Sequence, residues 1–435
     1  MNNLKPSVLL VSVDALKPEF IFEQERLGIN LPNLKRFIHN GTVASKGVKS
    51  VFPTFTYPCH QSIITGTNPA THGIFNNSIF DPTGEHKCAW NWFVSKKVKT
   101  LWQAAKENGY VSASVAFPTS VGAKGDYIAP EFWWDGSKLD SMFIDVMSTP
   151  QGIISEMEQD IGDYVGGLDL TEAGDRQRFK ATMWMLNNKL SLQVNCKPFF
   201  LSTYFASFDK SAHTYGVYSK EALHSLEQID MMLGELIETV HCLTQDDVVV
   251  CVVSDHGIID NQYTINPNVI LAQSGLITLD EQGRIKDWRA WCMRAGGTCE
   301  IRLKDKNDTE AAQLLTKEIQ KLIANSDNGI LEVMDGQTAK NRGGFPLAEY
   351  VLVAKKGYEI RENVTGPYCT NNLTLCAQHG YSENFEEMNA VFLIEGRNIA
   401  TQKDVGSLNL IDIAPTLAGV MGFVLPQAEG IDIMK

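Results

Sequence analysis

Val248 to Val253 is an uninterrupted apolar run, and it stops at Ser254-Asp255-His256-Gly257. A run of that length and β-branched content reads as a strand buried on both faces, which requires layers above and below it. The polar residues at its end would stand at the carboxyl edge of a sheet. The chain repeats the design. Val8 to Val13 stops at Asp14, and Pro198 to Phe205 runs on to Asp209, with His213 four residues later. Carboxylate and imidazole together are the ligand mixture of divalent metals.

Strand and helix signals alternate, which predicts an α/β fold: a mostly parallel central sheet with helices on both faces. The first strand falls at 7–13. A helix at 32–39 follows, with Pro32 near its start and Gly41 past its end. Thr100 caps a helix and Ser219 caps a long one. A strand at 111–117 lies between them, and Thr149-Pro150 opens a further helix. Composition shifts after about residue 262. The segment 263–368 reads as a smaller α/β insert, with strands at 300–303, 330–333 and 350–354 and a helix at 308–324. The core is expected in 1–262 and 369–435, closing with a strand at 390–394 and an apolar helix from Leu408 to Met421. Gly296-Gly297 and Gly343-Gly344 read as turns.

Of the 435 residues 44% are apolar, enough for a large core, and the net charge is −13. That charge argues against nucleic-acid polymers, whose binding needs Lys and Arg to displace counterions. The nine cysteines are scattered and odd in number, with no CxxC. A disulfide framework is not expected, which favours a reducing compartment. The first residues are too strand-like for a signal peptide, and no run approaches the ~20 apolar residues of a membrane span. The expectation is a soluble cytoplasmic protein with no membrane partner.

The candidate ligands are Asp14, Asp209, His213, Asp255, His256 and His379. Asp209 and His213 would share one face of a helical turn. His379 lies in Gln378-His379-Gly380-Tyr381, where the glycine permits a tight approach. Two ions about 4 Å apart need six or seven protein ligands. The ordinary reading of any one of these residues is a turn, a cap or a surface group, and spacing alone does not make them converge. His39, His72, His86, His224 and His241 receive that ordinary reading. Thr56 precedes an expected helix at 61–65, and a helix N-terminus attracts phosphate. A cation would activate its hydroxyl, although a plain helix cap is the alternative. Cys59 is the rival nucleophile, without a cationic neighbour to lower its pKa.

Taken in order, Asp14, Thr56 within T-x-T-Y-P-x-H, Thr65-Gly66, Pro69, His72-Gly73, Asn76-Asn77, D-x-x-x-H at 209–213, S-D-H-G at 254–257 and H-G-Y at 379–381 resemble the alkaline phosphatase superfamily. Within it they resemble the type I phosphodiesterase/nucleotide pyrophosphatase family. The resemblance is weakest in 125–195 and in the insert. It implies two divalent ions, zinc in the family: one held by Asp14, Thr56, Asp255 and His256, the other by Asp209, His213 and His379. It also implies a small-molecule phosphate ester or nucleotide as substrate, hydrolysed at a phosphodiester or phosphoanhydride bond through a phosphothreonine on Thr56. Asn77 would donate to a phosphoryl oxygen, and Tyr57 would lie against the organic group. Trp90, Trp92, Trp133 and Trp134 are further stacking candidates. Cys59, Ala212 and Phe117-Pro118-Thr119 depart from the family pattern. Hydrolysis of phosphate monoesters or phosphonates on the same scaffold is the alternative.

Overall fold

The apolar run at 7–13 forms β1 (Ser7–Val13), every residue of it buried. In the computed structural model, which describes residues 5–85, 90–133, 141–164, 169–192, 194 and 196–435, β1 lies inside an eight-stranded sheet. Its other members are β2 (Gly41–Val43), β3 (Val111–Val115), β4 (Tyr127–Ala129), β5 (Phe199–Phe205) and β6 (Val248–Val253). A second sheet of β7 (Ala290–Ala295), β8 (Thr298–Leu303), β9 (Ile330–Asp335) and β10 (Tyr350–Ala354) intervenes in the chain before β11 (Phe392–Gly396) and β12 (Lys403–Asp404) complete the first. The spatial order is β12-β2-β11-β6-β1-β5-β3-β4. Only β11 runs against its neighbours, and the remaining pairs are parallel.

Alternation along β1 explains its apolar run. Leu9, Val11 and Val13 enter the core on one face, Val8 and Leu10 the core on the other. Helices α1 (Pro32–Asn40), α2 (Thr56–Thr65), α3 (Glu172–Met185), α4 (Ser207–Tyr215), α5 (Lys220–Thr244) and α7 (Ile413–Val420) cover this sheet, and α6 (Thr309–Ala324) packs on the second. Leu226, Ile229, Leu233, Leu236 and Ile237 of α5 join the Leu9 side; Ile63 and Ile64 of α2 and Leu417 of α7 join the Leu10 side. Side chains cap the helices where the sequence placed them, Thr100 accepting from Gln103 N and Ser219 from Ala222 N.

The β7–β10 sheet is antiparallel, in the order β7-β8-β10-β9. It has its own core, in which Leu315, Ile319 and Leu322 of α6 meet Cys292, Ile301 and Leu352. Tyr263–Ile265 pairs with both Tyr358–Ile360 and Cys369–Thr370, so the two ends of the segment 263–368 lie side by side.

Three expectations are corrected. α2 begins at Thr56, not at 61, because Pro58 sits in the first turn, where a missing N–H costs nothing. β3 stops at Val115, since Ala116 turns to φ 48°. The expected helix from Leu408 starts only at Ile413: Leu408–Asn409 pairs with Val48–Lys49, and Asn409 and Asp412 form a capping box. Among the described residues no helix is long and apolar enough to cross a membrane. The eight described cysteines are all free, and Cys88 lies outside the described residues.

Candidate metal centre

Three adjacent parallel strands end level with one another, Val13 pairing with Phe205 and Ser12 with Val253. Asp14 follows β1 at once. Asp255 lies two residues past β6. Asp209 stands in the first turn of α4, which opens two residues after β5. The carboxyl ends of parallel strands are where open α/β sheets place ligands. His379 comes from elsewhere, just after Gln378, which pairs with Ile259. Its approach depends on glycine. A Cβ on Gly380 (φ +81°) would stand 2.0 Å from the Ala295 carbonyl, and one on Gly296 would stand 2.0 Å from the carbonyl of His379. Gly296-Gly297 is therefore the turn between β7 and β8 that seats the His379 loop.

The six candidate ligands form two triads. Asp14, Asp255 and His256 make one; Asp209, His213 and His379 make the other. Within each, one ligand atom per residue lies within 4.8 Å of the others. His256 Nε2 stands 3.0 Å from Asp255 Oδ2 and 3.7 Å from Asp14 Oδ1. His213 Nε2 is 3.2 Å from Asp209 Oδ2, and His379 Nε2 is 3.9 Å from Asp209 Oδ1. The His256 and His379 rings stack at 3.8 Å and join the triads.

All three imidazoles are oriented alike. Nδ1 of His256 faces the Gly257 carbonyl (3.1 Å), that of His213 the Ala377 carbonyl (2.7 Å) and that of His379 the Thr54 carbonyl (3.3 Å). A ring that donates from Nδ1 presents a lone pair at Nε2, the arrangement of a metal-ligating histidine. The 3.0 Å approach of His256 Nε2 to Asp255 Oδ2 then sets two acceptors face to face, which calls for a shared proton or a cation.

Charge balance points the same way. Asp14 Oδ1, Asp209 Oδ1 and Asp255 Oδ2 are buried and accept no hydrogen bond. Among the described residues, the ion-pair partners of these carboxylates are all histidines. Burial, and after it the Asp255 and Asp209 charges, push the Asp14 carboxyl well above the usual range. Burial also works against Asp209 and Asp255, but nearby imidazoles outweigh it and hold both below the ordinary value. Burial and the adjacent His256 push His379 down, while Asp209 raises His213 against the effect of burial. A buried charge without a partner is costly. The donor set therefore fits divalent cations of the kind that take mixed oxygen and nitrogen ligands.

Thr56 opens α2 with its Oγ1 3.3 Å from His256 Nε2. The neighbouring amide of Tyr57 donates to Asn77 Oδ1 at 2.8 Å, which assigns the other carboxamide atom as the N–H₂ donor. Cys59 is fully buried, in contact with Ser50 Oγ at 3.2 Å, and burial pushes its thiol well up. It is no rival to Thr56. Tyr57 is only 3% exposed, its ring edge-on to Trp90 at 6.0 Å. Trp90 and Trp133 are half-buried and pack at 4.4 Å, whereas Trp92 belongs to the core, against Phe132. Trp134 and His86 lie outside the described residues. His72 is not the loop residue expected. It is buried at the end of a short helix, in contact with Ser62 Oγ, and burial pulls it down to about 3.

Two supporting residues received no role from the sequence, His60 although it closes the T-x-T-Y-P-x-H motif. His60 Nδ1 lies 2.9 Å from the Thr56 carbonyl and 3.5 Å from Asp255 Oδ2, and its Nε2 contacts Ser12 Oγ at 2.9 Å. The signal for it was its place one helical turn after Thr56. Tyr204 donates its hydroxyl to Asp14 Oδ2, and nothing in a seven-residue buried strand announces that.

A family model described as type I phosphodiesterase / nucleotide pyrophosphatase matches residues 8–382. The chain is similar to human ectonucleotide pyrophosphatase/phosphodiesterase family member 1, 26% identical over 263 residues, covering 58% of this chain and 23% of that protein. It thus spans about a quarter of that relative's length. It is also similar to human bis(5'-adenosyl)-triphosphatase ENPP4, 23% identical over 437 residues, covering 97% of this chain and 79% of the relative. Among solved structures it resembles murine ectonucleotide pyrophosphatase / phosphodiesterase 5, in an inactive form in complex with AMP. There the TM-score is 0.68 at 19% identity, over 98% of this chain and 97% of the other. That likeness shows the fold, the large α/β sheet of alkaline-phosphatase-like proteins.

Proposed function

The chain belongs to the type I phosphodiesterase / nucleotide pyrophosphatase family, and we propose that it hydrolyses a phosphodiester or phosphoanhydride bond in a nucleotide-like small molecule. The observation that carries this reading is the paired triad of buried carboxylates and imidazoles, with the Thr56 hydroxyl 3.3 Å from His256 Nε2. In this proposal Asp14, Thr56, Asp255 and His256 hold one divalent ion and Asp209, His213 and His379 a second, both zinc. Bound there, such ions lower the pKa of the threonine hydroxyl and offset phosphoryl charge.

The chain's own groups supply the rest. Thr56 Oγ1 gives up its proton to solvent and attacks phosphorus; an Oγ1–P bond forms as the bond to the leaving oxygen breaks, and the intermediate is a phosphothreonine that keeps the substrate's remaining ester group. Water then attacks the same phosphorus and the Oγ1–P bond breaks, returning the hydroxyl. The positive end of α2, at Thr56, favours the phosphoryl charge. Asn77 donates from its N–H₂ to an oxygen whose charge grows in the transition state, its Oδ1 being engaged by the Tyr57 amide. Tyr57 stiffens the wall of the site, and Trp90 and Trp133 offer aromatic surface to a base. In this reading residues 1–262 and 369–435 form the catalytic unit and 263–368 an insert whose β7–β8 turn seats the His379 loop. The free thiols support a reducing, cytoplasmic setting.

The test is turnover of a p-nitrophenyl nucleotide diester, beside a monoester and a phosphonate, by chelated protein to which zinc is restored. Zinc-dependent diester cleavage that Thr56→Ala abolishes is expected. Full activity in Thr56→Ala would overturn the nucleophile, and a faster monoester or phosphonate rate would overturn the substrate class.

A further inference from the structure

Helix α4 carries Asp209 and His213, yet nothing at its own start caps it: Ala206 occupies the cap position without a side-chain acceptor. The acceptor comes from α3. Asp175 is fully buried, and its carboxylate receives the amides of Ala206 (2.9 Å) and Ser207 (2.8 Å). A carboxylate at that place satisfies two orphan donors and meets the positive end of the helix. The same two amides come directly after Phe205, whose carbonyl accepts the amide of Asp14 at 2.9 Å. Arg178, one turn along α3, is also fully buried and donates from Nη1 to Asp175 Oδ1 at 3.0 Å. Its guanidinium lies 5.9 Å from the centre of the Tyr204 ring, and the hydroxyl of Tyr204 donates to Asp14.

We infer that Asp175 and Arg178 are positioning residues for both triads. Asp175 fixes the helix that presents Asp209 and His213, and Arg178 steadies the Tyr204 ring that holds the Asp14 carboxylate. A hydrophobic pair of equal volume would serve stability as well as a buried ion pair, but it would leave the Ala206 and Ser207 amides without an acceptor. The inference rests on the two-ion reading proposed above.

The test is a zinc titration of the full chain, stripped by a chelator and competed with a chromophoric one, with the melting temperature measured in parallel. The parent takes up two ions. Asp175→Asn weakens one site by about tenfold or more, the usual scale for groups that support a ligand. Tyr204→Phe weakens the other, and Arg178→Met weakens both. Arg178→Lys restores part of the loss. Ile319→Ala, a cavity in the separate core of the β7–β10 sheet, lowers the melting temperature and leaves both affinities alone, which separates positioning from general destabilisation. Parental affinity at both sites in Asp175→Asn and Arg178→Met overturns the inference. If Arg178→Met does not fold, Asp175→Asn and Arg178→Lys decide the same question. A parent that takes up no zinc overturns the two-ion reading, and the inference falls with it.

Discussion

The carboxyl edge of the central sheet and the β7–β10 sheet bury acidic groups in opposite ways. In the second sheet a buried acid has its cation beside it. Glu300, 1% exposed, receives both Nε (2.6 Å) and Nη2 (2.9 Å) of Arg302. At the sheet edge Asp14, Asp209 and Asp255 face one another and three imidazoles, each keeping one oxygen unsatisfied. The first arrangement is complete as folded. In the proposed reading, cations complete the second. Buried charge alone therefore does not mark a functional site; buried charge without a partner does.

The sharpest attack on this contrast replaces an acid on each side. Asp14→Asn should lower turnover by about 10³-fold or more, the scale of losing a group that acts in the transition state. The chelated variant should melt no lower than the chelated parent, because burial and its acidic neighbours already disfavour the charged Asp14. A clear loss of stability in the chelated variant would place Asp14 with Glu300. Chelation of the parent comes next. At a free-ion concentration 1,000-fold above Kd, bound metal contributes about 4 kcal/mol to stability, so its removal should lower the melting temperature visibly, and unchanged melting would count against a metal centre.

Arg302→Met should cost about 3 kcal/mol, since it strands a buried carboxylate. The rate per folded molecule should stay at the parental value. A parallel fall in rate would show that the two regions are not independent.

Glu131 lies between the two cases. Burial pushes its carboxyl up to about 7 against the pull of Arg178. Its folded pKa exceeds the ordinary 4.5, so the folded state holds the proton more tightly. That stability is present at low pH and is lost as pH rises from 4.5 through about 7. Two and a half units at 1.36 kcal/mol each is about 3 kcal/mol at most. Glu131→Gln should flatten the decline, read by denaturant melts at several pH values; an unchanged slope would assign it to other groups. The smallest effect belongs to Lys304→Ala. It removes an exposed pair with Asp287, and no measurable change in melting is expected.

Much of the fold was legible because it is written in local pattern. The apolar runs at 7–13 and 248–253, the capping Thr100 and Ser219, and the β10 strand at 350–354 each follow from neighbours in sequence. Local pattern misled where a distant partner intervened. Leu408 and Asn409 read as helix but pair with Val48 and Lys49. Trp92 read as a stacking candidate and lies in the core. Tyr204, Asp175 and Arg178 gave no sign, since an apolar strand and an ordinary charged helix look the same whatever they support.

From sequence alone came the strand ends at Asp14 and Asp255, the i, i+4 pairing of Asp209 with His213, and Thr56 near the start of a helix. These are properties of short segments, set by the periods of strand and helix. The order of β5, β1 and β6 in the sheet belonged to the tertiary structure. So did the glycine contact that brings His379 across, and the choice of backbone carbonyl that turns each Nε2 inward. Those depend on which segments pack together, and packing is a competition among the whole chain's surfaces that no single segment records.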